Sequence, residues 1–418
     1  MEERKIIMLN DIYYTAIDIG TSKVCTVVAR VGPEGELKIV GHGLVPSQGV
    51  KKGQIINVDE AQEAIEASIE EAHSSLGSRV PWAYVSASGN HITCTNTNAL
   101  LHPSGQNGQI SLEDVRTLTD MSYPEVPFGK EVIHVIPINY VVDGYRSMRN
   151  PVGIHADRLQ IESLAVFGDQ NNVNETIKTV QNSNVQVRSL VIGGLASGEA
   201  VLTESEKELG VVVVDIGAGS TDVAIFKNGA VWYGASIPVG GNQLTRDLAV
   251  ALGMPYYFAE ELKIKWGHAK PEASDREQEV LLPSFQGRPR RLVHRTTLCT
   301  PMVDRLRETF GLIMIKTQQA GLHRIPPGGI VFTGGTSEMP GFQKLASETL
   351  GCPVRIGAPR NIPEVSIDQQ RPSYSTVMGL LQWGIKQHSE RRARPPMDKI
   401  PFSQKPVWER IKHVIMVN

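Results

Sequence analysis

AIDIGTSK, from Ala16 to Lys23, and VVVVDIGAGSTDVAIF, from Val211 to Phe226, write one pattern twice, once in each half of the chain. Each has an apolar run, then Asp-x-Gly, then small hydroxyl residues, then a second apolar run. The pattern predicts a strand, a tight turn and a second strand. A glycine-rich turn lets backbone N–H groups approach an anion without interference from Cβ, so two such turns facing each other across a cleft can clamp a polyphosphate from both sides. One copy alone reads first as an ordinary hairpin. The duplication points to a two-lobed nucleotide binder.

A third element follows in GGIVFTGGTSEMPGFQKLASETLG, Gly328 to Gly351. It predicts a buried strand, a turn at Gly334 and Gly335, and an amphipathic helix. Paired glycines before a helix suit the close approach of a flat nucleoside, and an ordinary strand-to-helix turn shows the same residues.

These motifs, in this order, resemble the phosphate-1, phosphate-2 and adenosine motifs of the actin, Hsp70 and sugar-kinase ATPase superfamily. GLASGEAVLTESEKELG, Gly194 to Gly210, resembles its first connecting helix, and AEELK, Ala259 to Lys263, its Glu-x-x-Lys nucleoside helix. Within the superfamily the chain is similar to the FtsA family. HVIPINYVVDGYRSMRNPVG (His134 to Gly153), VFTGGTSEMPGF and VRIGAPRNI (Val354 to Ile362) match that family's pattern, and the likeness covers nearly the whole chain from about Tyr14 to Lys386, plus the terminal helix. Ala218 departs from the more usual glycine in the second turn.

The resemblance implies an α/β fold: a two-lobed actin-like ATPase with duplicated RNase H-like lobes, an inserted small subdomain and a C-terminal amphipathic helix. It implies ATP and Mg²⁺ as cofactors. Asp18 and Asp215, opening the two turns, are placed to hold Mg²⁺ through its waters, because this ion dehydrates reluctantly. Gly20, Thr21, Ser22 and Lys23 would bind one side of the phosphates, with Lys23 adding a point charge. Gly217, Gly219, Ser220 and Thr221 would bind the other side. Glu260 and Lys263 would meet ribose and base, or form a salt-bridged helix surface; Gly334, Gly335 and Thr336 would bound the nucleoside. Glu199 is the candidate for orienting a water toward the γ-phosphate, or else a solvent-facing helix residue. The protein is expected to be at most a slow ATPase, with ATP mainly an assembly switch.

With 418 residues the chain can fill several domains, and 42 basic against 44 acidic residues argue against bulk attraction to nucleic acid. Cys25, Cys94, Cys299 and Cys352 are scattered, with no C-x-x-C pair, and read as buried free thiols of a reducing cytoplasm. No apolar run reaches the roughly twenty residues that cross a bilayer.

The expected organisation is a first-lobe core over 12–79 and 164–208 around an inserted subdomain at 80–163. That insert is read with strands at Ala83–Val85 and Glu131–Val142, and is expected to meet other division proteins. A second-lobe core is expected over 209–244 and 300–370, around a small subdomain at 245–299. Residues 371–388 return to the first lobe. Residues 389–404 are charged and proline-rich and read as a linker, and 405–418 as a short amphipathic helix. On that helix Val407, Trp408, Ile411, Val414 and Ile415 share one arc, with Arg410 and Lys412 on its shoulders. It reads as a docking element or as a membrane-surface helix whose cations meet anionic headgroups.

The resemblance implies a division protein that polymerises on itself and tethers FtsZ, held by its C-terminal peptide, to the inner face of the cytoplasmic membrane at the division site. Arg288, Arg290 and Arg291 could meet that peptide or form a solvated basic turn. A phosphotransferase or phosphatase of the sugar-kinase or exopolyphosphatase type, and a pilus-assembly relative, are the alternatives.

Overall fold

The computed structural model describes residues 12–393 except 33–35, 75, 77–80, 106–107, 272–277, 286–288 and 361–366; the side chains of 146, 367, 368 and 388–393 also lie outside the description. The proposed membrane helix and Arg288 are therefore outside the described residues.

Two five-stranded sheets repeat one topology. In the first, strand Ile12–Ile19 pairs antiparallel with Lys23–Val31, which pairs antiparallel with Leu37–Pro46. On its other side Trp82–Ala87 and then Gln186–Ile192 run parallel to it. In the second, Val211–Ile216 pairs antiparallel with Thr221–Lys227 and onward to Ala230–Ile237, while Ile330–Thr333 and Val354–Ile356 extend it in parallel. The unbroken apolar run of Val211–Ile216 reflects burial on both faces. Val211 and Val213 belong to the core shared with the first lobe, whereas Val212, Val214 and Ile216 face a second core under helix Arg295–Gln319. Met302, Leu306, Phe310, Ile313 and Thr317 of that helix are all buried, as their spacing predicts, and the helix begins ahead of Pro301.

Two helices stitch the lobes together. Gly193–Val201 leaves the first sheet and crosses Ser375–Ala393 so closely that a Cβ on Gly379 would collide with the Ala196 carbonyl. The stretch Gly194 to Gly210 is two helices: Leu202 is extended, and Thr203 opens Glu204–Leu209 through a capping box with Glu206. Asn57 caps helix Val58–His73, because its side chain accepts from the Glu60 N–H.

The insert is a four-stranded antiparallel sheet ordered Thr93–Leu101, Leu159–Asp169, Lys130–Val142, Arg146–Met148, with helix Leu112–Met121 capped by Ser111. This corrects the sequence reading at both edges. Ala83 to Val85 pair in parallel with the first-lobe strands and belong to that sheet, whereas Leu164 to Phe167 lie in the insert's sheet. Both segments are continuous runs buried on both faces, which look alike in either sheet, so the strand pattern could not say which sheet each would join. At the other end, the expected linker starts later, because helix Ser375–Ala393 continues past residue 389.

Candidate functional site

The two hairpins share one register. Asp18 pairs with Cys25 and Ile19 with Val24; Asp215 pairs with Asp222 and Ile216 with Thr221. Each turn closes with its first glycine donating to the residue three ahead, Gly20 N–H to Lys23 O at 3.0 Å and Gly217 N–H to Ser220 O at 2.9 Å. The turns touch: a Cβ on Gly219 would collide with the Thr21 hydroxyl, which also accepts from Gly53 N–H at 3.1 Å. Glycine at 219 is thus required by close approach of the two lobes.

Three carboxylates converge behind these turns, Asp215 and Asp222 buried and Asp18 half-buried. Burial pushes Asp18 up to about 6, against a hydrogen bond from Ser86, and the nearby Asp215 charge adds to the rise. Asp215 is likewise raised by burial, although it accepts from Ser197 and, at 2.8 Å, from Thr376. Asp222 is pushed up to about 7 by burial and by the charges of Asp215 and Asp18, with Ser236 and Ser88 hydrogen bonds working against the rise. Their resistance to ionisation is what buried acids show without a counter-charge. Lys23 faces the same cluster, but its Nζ donates to Ser373 O at 2.7 Å and lies 4.3 Å from the Tyr374 ring centroid.

Beside the second turn lie the residues expected to meet a nucleoside. Gly241 N–H donates to Gly217 O at 2.9 Å and Asn242 N–H to Ala218 O at 2.8 Å, so helix Gly241–Leu252 starts on the turn itself. Thr336 Oγ1 donates to Gly217 O at 3.0 Å. Lys263 pairs with Glu260 at 2.8 Å and donates to Thr245 Oγ1 at 2.9 Å and to Gly241 O at 3.3 Å. Gly334 has φ 84°, and a Cβ there would strike Asp215, whereas one on Gly335 would meet nothing nearer than Ser373 Cβ at 3.7 Å. The structure therefore brings Gly217, Glu260, Lys263, Gly334, Gly335 and Thr336 together beside the second turn.

Comparison with known proteins gives the family of the chain. The family model for cell division protein FtsA matches residues 212–379, and that for the SHS2 domain inserted in FtsA matches 89–167. The cell division protein FtsA of Pseudomonas aeruginosa is 35% identical over 406 residues, spanning 96% of this chain and 97% of that protein. The chain belongs to the FtsA family. FtsA of Escherichia coli is 34% identical over 380 residues, covering 89% of this chain and 90% of its own length. Among solved structures, a PilM-PilN type IV pilus biogenesis complex matches with a TM-score of 0.63 at 14% identity, over 89% of this chain and 98% of that chain. MreB5 of Spiroplasma citri bound to ADP matches with 0.54 at 13%, over 92% and 99%. These two show the fold alone, and it is the actin-like one. This FtsA-family chain is accordingly an actin-like cell division protein.

One expected residue of the FtsA-family site is elsewhere. Glu199 pairs with Lys207 at 2.9 Å and with Lys386 at 3.5 Å, and Lys207 lies over the ring of Phe226, at the end of strand Thr221–Lys227 remote from the phosphate turn. Its neighbour Ser197 faces Asp215, and two residues along a helix turn about 200°, which carries Glu199 away from the cluster. The pair neutralises a buried lysine and holds Glu199, the residue expected to orient a water, away from the acid cluster. Of the basic residues, Arg291 donates to Leu252 O at 2.7 Å, while Arg290 is exposed.

Sequence reasoning missed Asp222, Ser86, Ser88, Ser197 and Thr376. Asp222 had a signal: in a hairpin with a four-residue connection it must stand opposite Asp215. The others come from elements distant in sequence, and only the parallel strand pairing and the helix crossing bring them in.

Proposed function

We propose that this protein binds ATP with Mg²⁺ between its two turns, assembles into filaments, and tethers FtsZ to the inner face of the cytoplasmic membrane through residues 405–418. The observation that carries the nucleotide reading is the pair of in-register glycine turns meeting at Thr21 and Gly219 over three clustered carboxylates. Buried acids held above their ordinary range fit a hard, hydrated cation, whose charge would let them ionise. Among the described residues no three His, Cys, Asp or Glu side chains stand at direct metal-binding geometry, so Asp18, Asp215 and Asp222 would hold the ion through its waters. Gly20 to Lys23 and Gly217 to Thr221 would supply donors to the phosphates. Gly334, Gly335, Thr336, Glu260 and Lys263 would hold the nucleoside. Relatives of the fold solved with ADP and AMPPNP, both MreB5 structures, support nucleotide as the ligand.

With Glu199 committed to Lys207, the site offers binding and closure rather than an evident water-activating base. ATP then acts chiefly as an assembly switch. Val407, Trp408, Ile411, Val414 and Ile415 would insert into the bilayer, Arg410 and Lys412 would meet anionic headgroups, and each cation contributes about 1 kcal/mol. A filament that arrays many such tails turns weak contacts into firm attachment. Among the described residues no helix is long and apolar enough to cross a membrane. The test is co-sedimentation with anionic liposomes, ATP and the FtsZ C-terminal peptide. Deleting Val407 to Asn418 should abolish the lipid pellet and leave ATP affinity intact; a truncated protein that still pellets with lipid overturns the tether.

A further inference from the structure

The insert is covalently part of the first lobe, yet its sheet is fastened along the second. Its entry loop joins strand Trp82–Ala87 to strand Thr93–Leu101. There Ser88 Oγ donates to Asp222 Oδ2 at 2.9 Å and Gly89 N–H donates to Ser236 Oγ at 3.1 Å. Asp222 and Ser236 are cross-strand partners in the second lobe, so these two bonds grip one point of its sheet, one residue beyond the phosphate turn and its closing pair. Midway, Cys94 lies against Gly234, with its Sγ 3.3 Å from where a Cβ on that glycine would stand. At the far end Arg149 pairs with Glu208 at 2.6 Å and donates to Asn228 O at 2.9 Å, in the turn that closes the hairpin of Thr221–Lys227 and Ala230–Ile237. The fastening runs the whole length of an eight-residue strand, about 23 Å at 3.3 Å per residue.

We infer that the entry loop of the insert is a latch on Asp222, so that filling the phosphate site changes how the insert is seated on the second lobe, with Arg149 holding its far end. The inference rests on the nucleotide reading above. One carboxylate serves two masters: Asp222 belongs to the acid cluster behind the turns and is the acceptor that holds Ser88. A hydrated cation among Asp18, Asp215 and Asp222 competes with the Ser88 hydroxyl for Asp222, and Gly89 loses its register on Ser236 when Ser88 lets go. The far contacts through Arg149 involve no group of the phosphate site, so they persist and make the motion a pivot rather than a release.

Hydrogen exchange of the full chain, with and without Mg²⁺·ATP, tests this alongside a separate measurement of ATP binding. The expected result is at least threefold faster exchange of amides 89–92 when Mg²⁺·ATP is bound, with amides 228–231 unchanged. Arg149→Ala should speed exchange at 228–231 and leave ATP affinity within twofold. Gly234→Cys, oxidised onto Cys94, should cross-link the insert to the second lobe and suppress the nucleotide-dependent change at 89–92. Protein that binds Mg²⁺·ATP while amides 89–92 exchange at an unchanged rate overturns the latch. So does a cross-linked protein that keeps the full change, or a failure of the two thiols to link under oxidant. Protein that binds no ATP overturns the nucleotide reading, and the latch with it.

Discussion

Replacing Asp222 by asparagine tests the central feature of the site, which is that its acids are held against their nature. Asp222 is buried and accepts from Ser88 and Ser236, but burial and the neighbouring acids raise it from 3.8 to about 7. In the folded chain it therefore keeps its proton through a pH range in which the unfolded chain has already released it. Folded stability falls as pH rises from about 4 to about 7 and is flat above that, because the unfolded state binds fewer protons throughout that window. The span from 3.8 to about 7 corresponds to a loss of about 4 kcal/mol at about 1.4 kcal/mol per pH unit. Asparagine removes that loss but weakens the serine contacts by about 1 kcal/mol each. The net gain at pH 8 is then about 2 kcal/mol, or about 4–8 °C in melting temperature for a lobe of roughly two hundred residues. At pH 5 the parent has lost only about 2 kcal/mol of that span, which the weakened contacts offset, so the variant is there about as stable as the parent. The assay is thermal unfolding of nucleotide-free protein in EDTA between pH 5 and pH 8.5. A variant that is no more stable than the parent at pH 8, or that shows the parent's full decline from pH 5 to pH 7, refutes the assignment.

Gly334 and Gly335 should part company. Gly334→Ala places a Cβ against Asp215 and the Ile216 backbone at φ 84° and should cost more than about 3 kcal/mol in urea unfolding. Gly335→Phe, with open space around it, should change stability by less than about 1 kcal/mol yet lower ATP affinity more than tenfold by calorimetry, since its side chain would occupy the proposed nucleoside recess. Glu199→Ala should destabilise by about 2 kcal/mol, less than the penalty of a fully orphaned charge because Glu204 still pairs with Lys207 at 3.0 Å. Any slow ATP turnover should be unchanged by it, and a hundredfold loss would restore the water-orienting role.

The hairpins were legible because a tight turn is a local event: glycine, hydroxyl and alternating apolar residues act within a few positions of one another. The pairing of Glu260 with Lys263 was legible for the same reason, the two lying one helical turn apart. What could not be read was set by long-range packing. Trp82–Ala87 is a continuous buried run that would read the same whether it paired with Ile12–Ile19 or with the insert, and only the three-dimensional register decides. Glu199 misled because a helix of nine residues presents several faces, and which one meets the phosphate turn depends on how Gly194 and Gly198 pack against Ala224 and Phe226. Thr376 is more than one hundred and fifty positions from Asp215 and reaches it only because the last described helix returns between the lobes.

The repeated topology of the two sheets relates the turns by an approximate twofold axis passing between Thr21 and Gly219. A ligand with unlike ends cannot obey such an axis, so something in the frame must break it. The break is a single cross-strand position: the first hairpin sets Cys25 opposite Asp18, the second sets Asp222 opposite Asp215. One half of a near-symmetric cradle thus carries twice the acid of the other, and under the proposed nucleotide reading that one exchange of thiol for carboxylate would set the sense in which a phosphate chain and its cation lie.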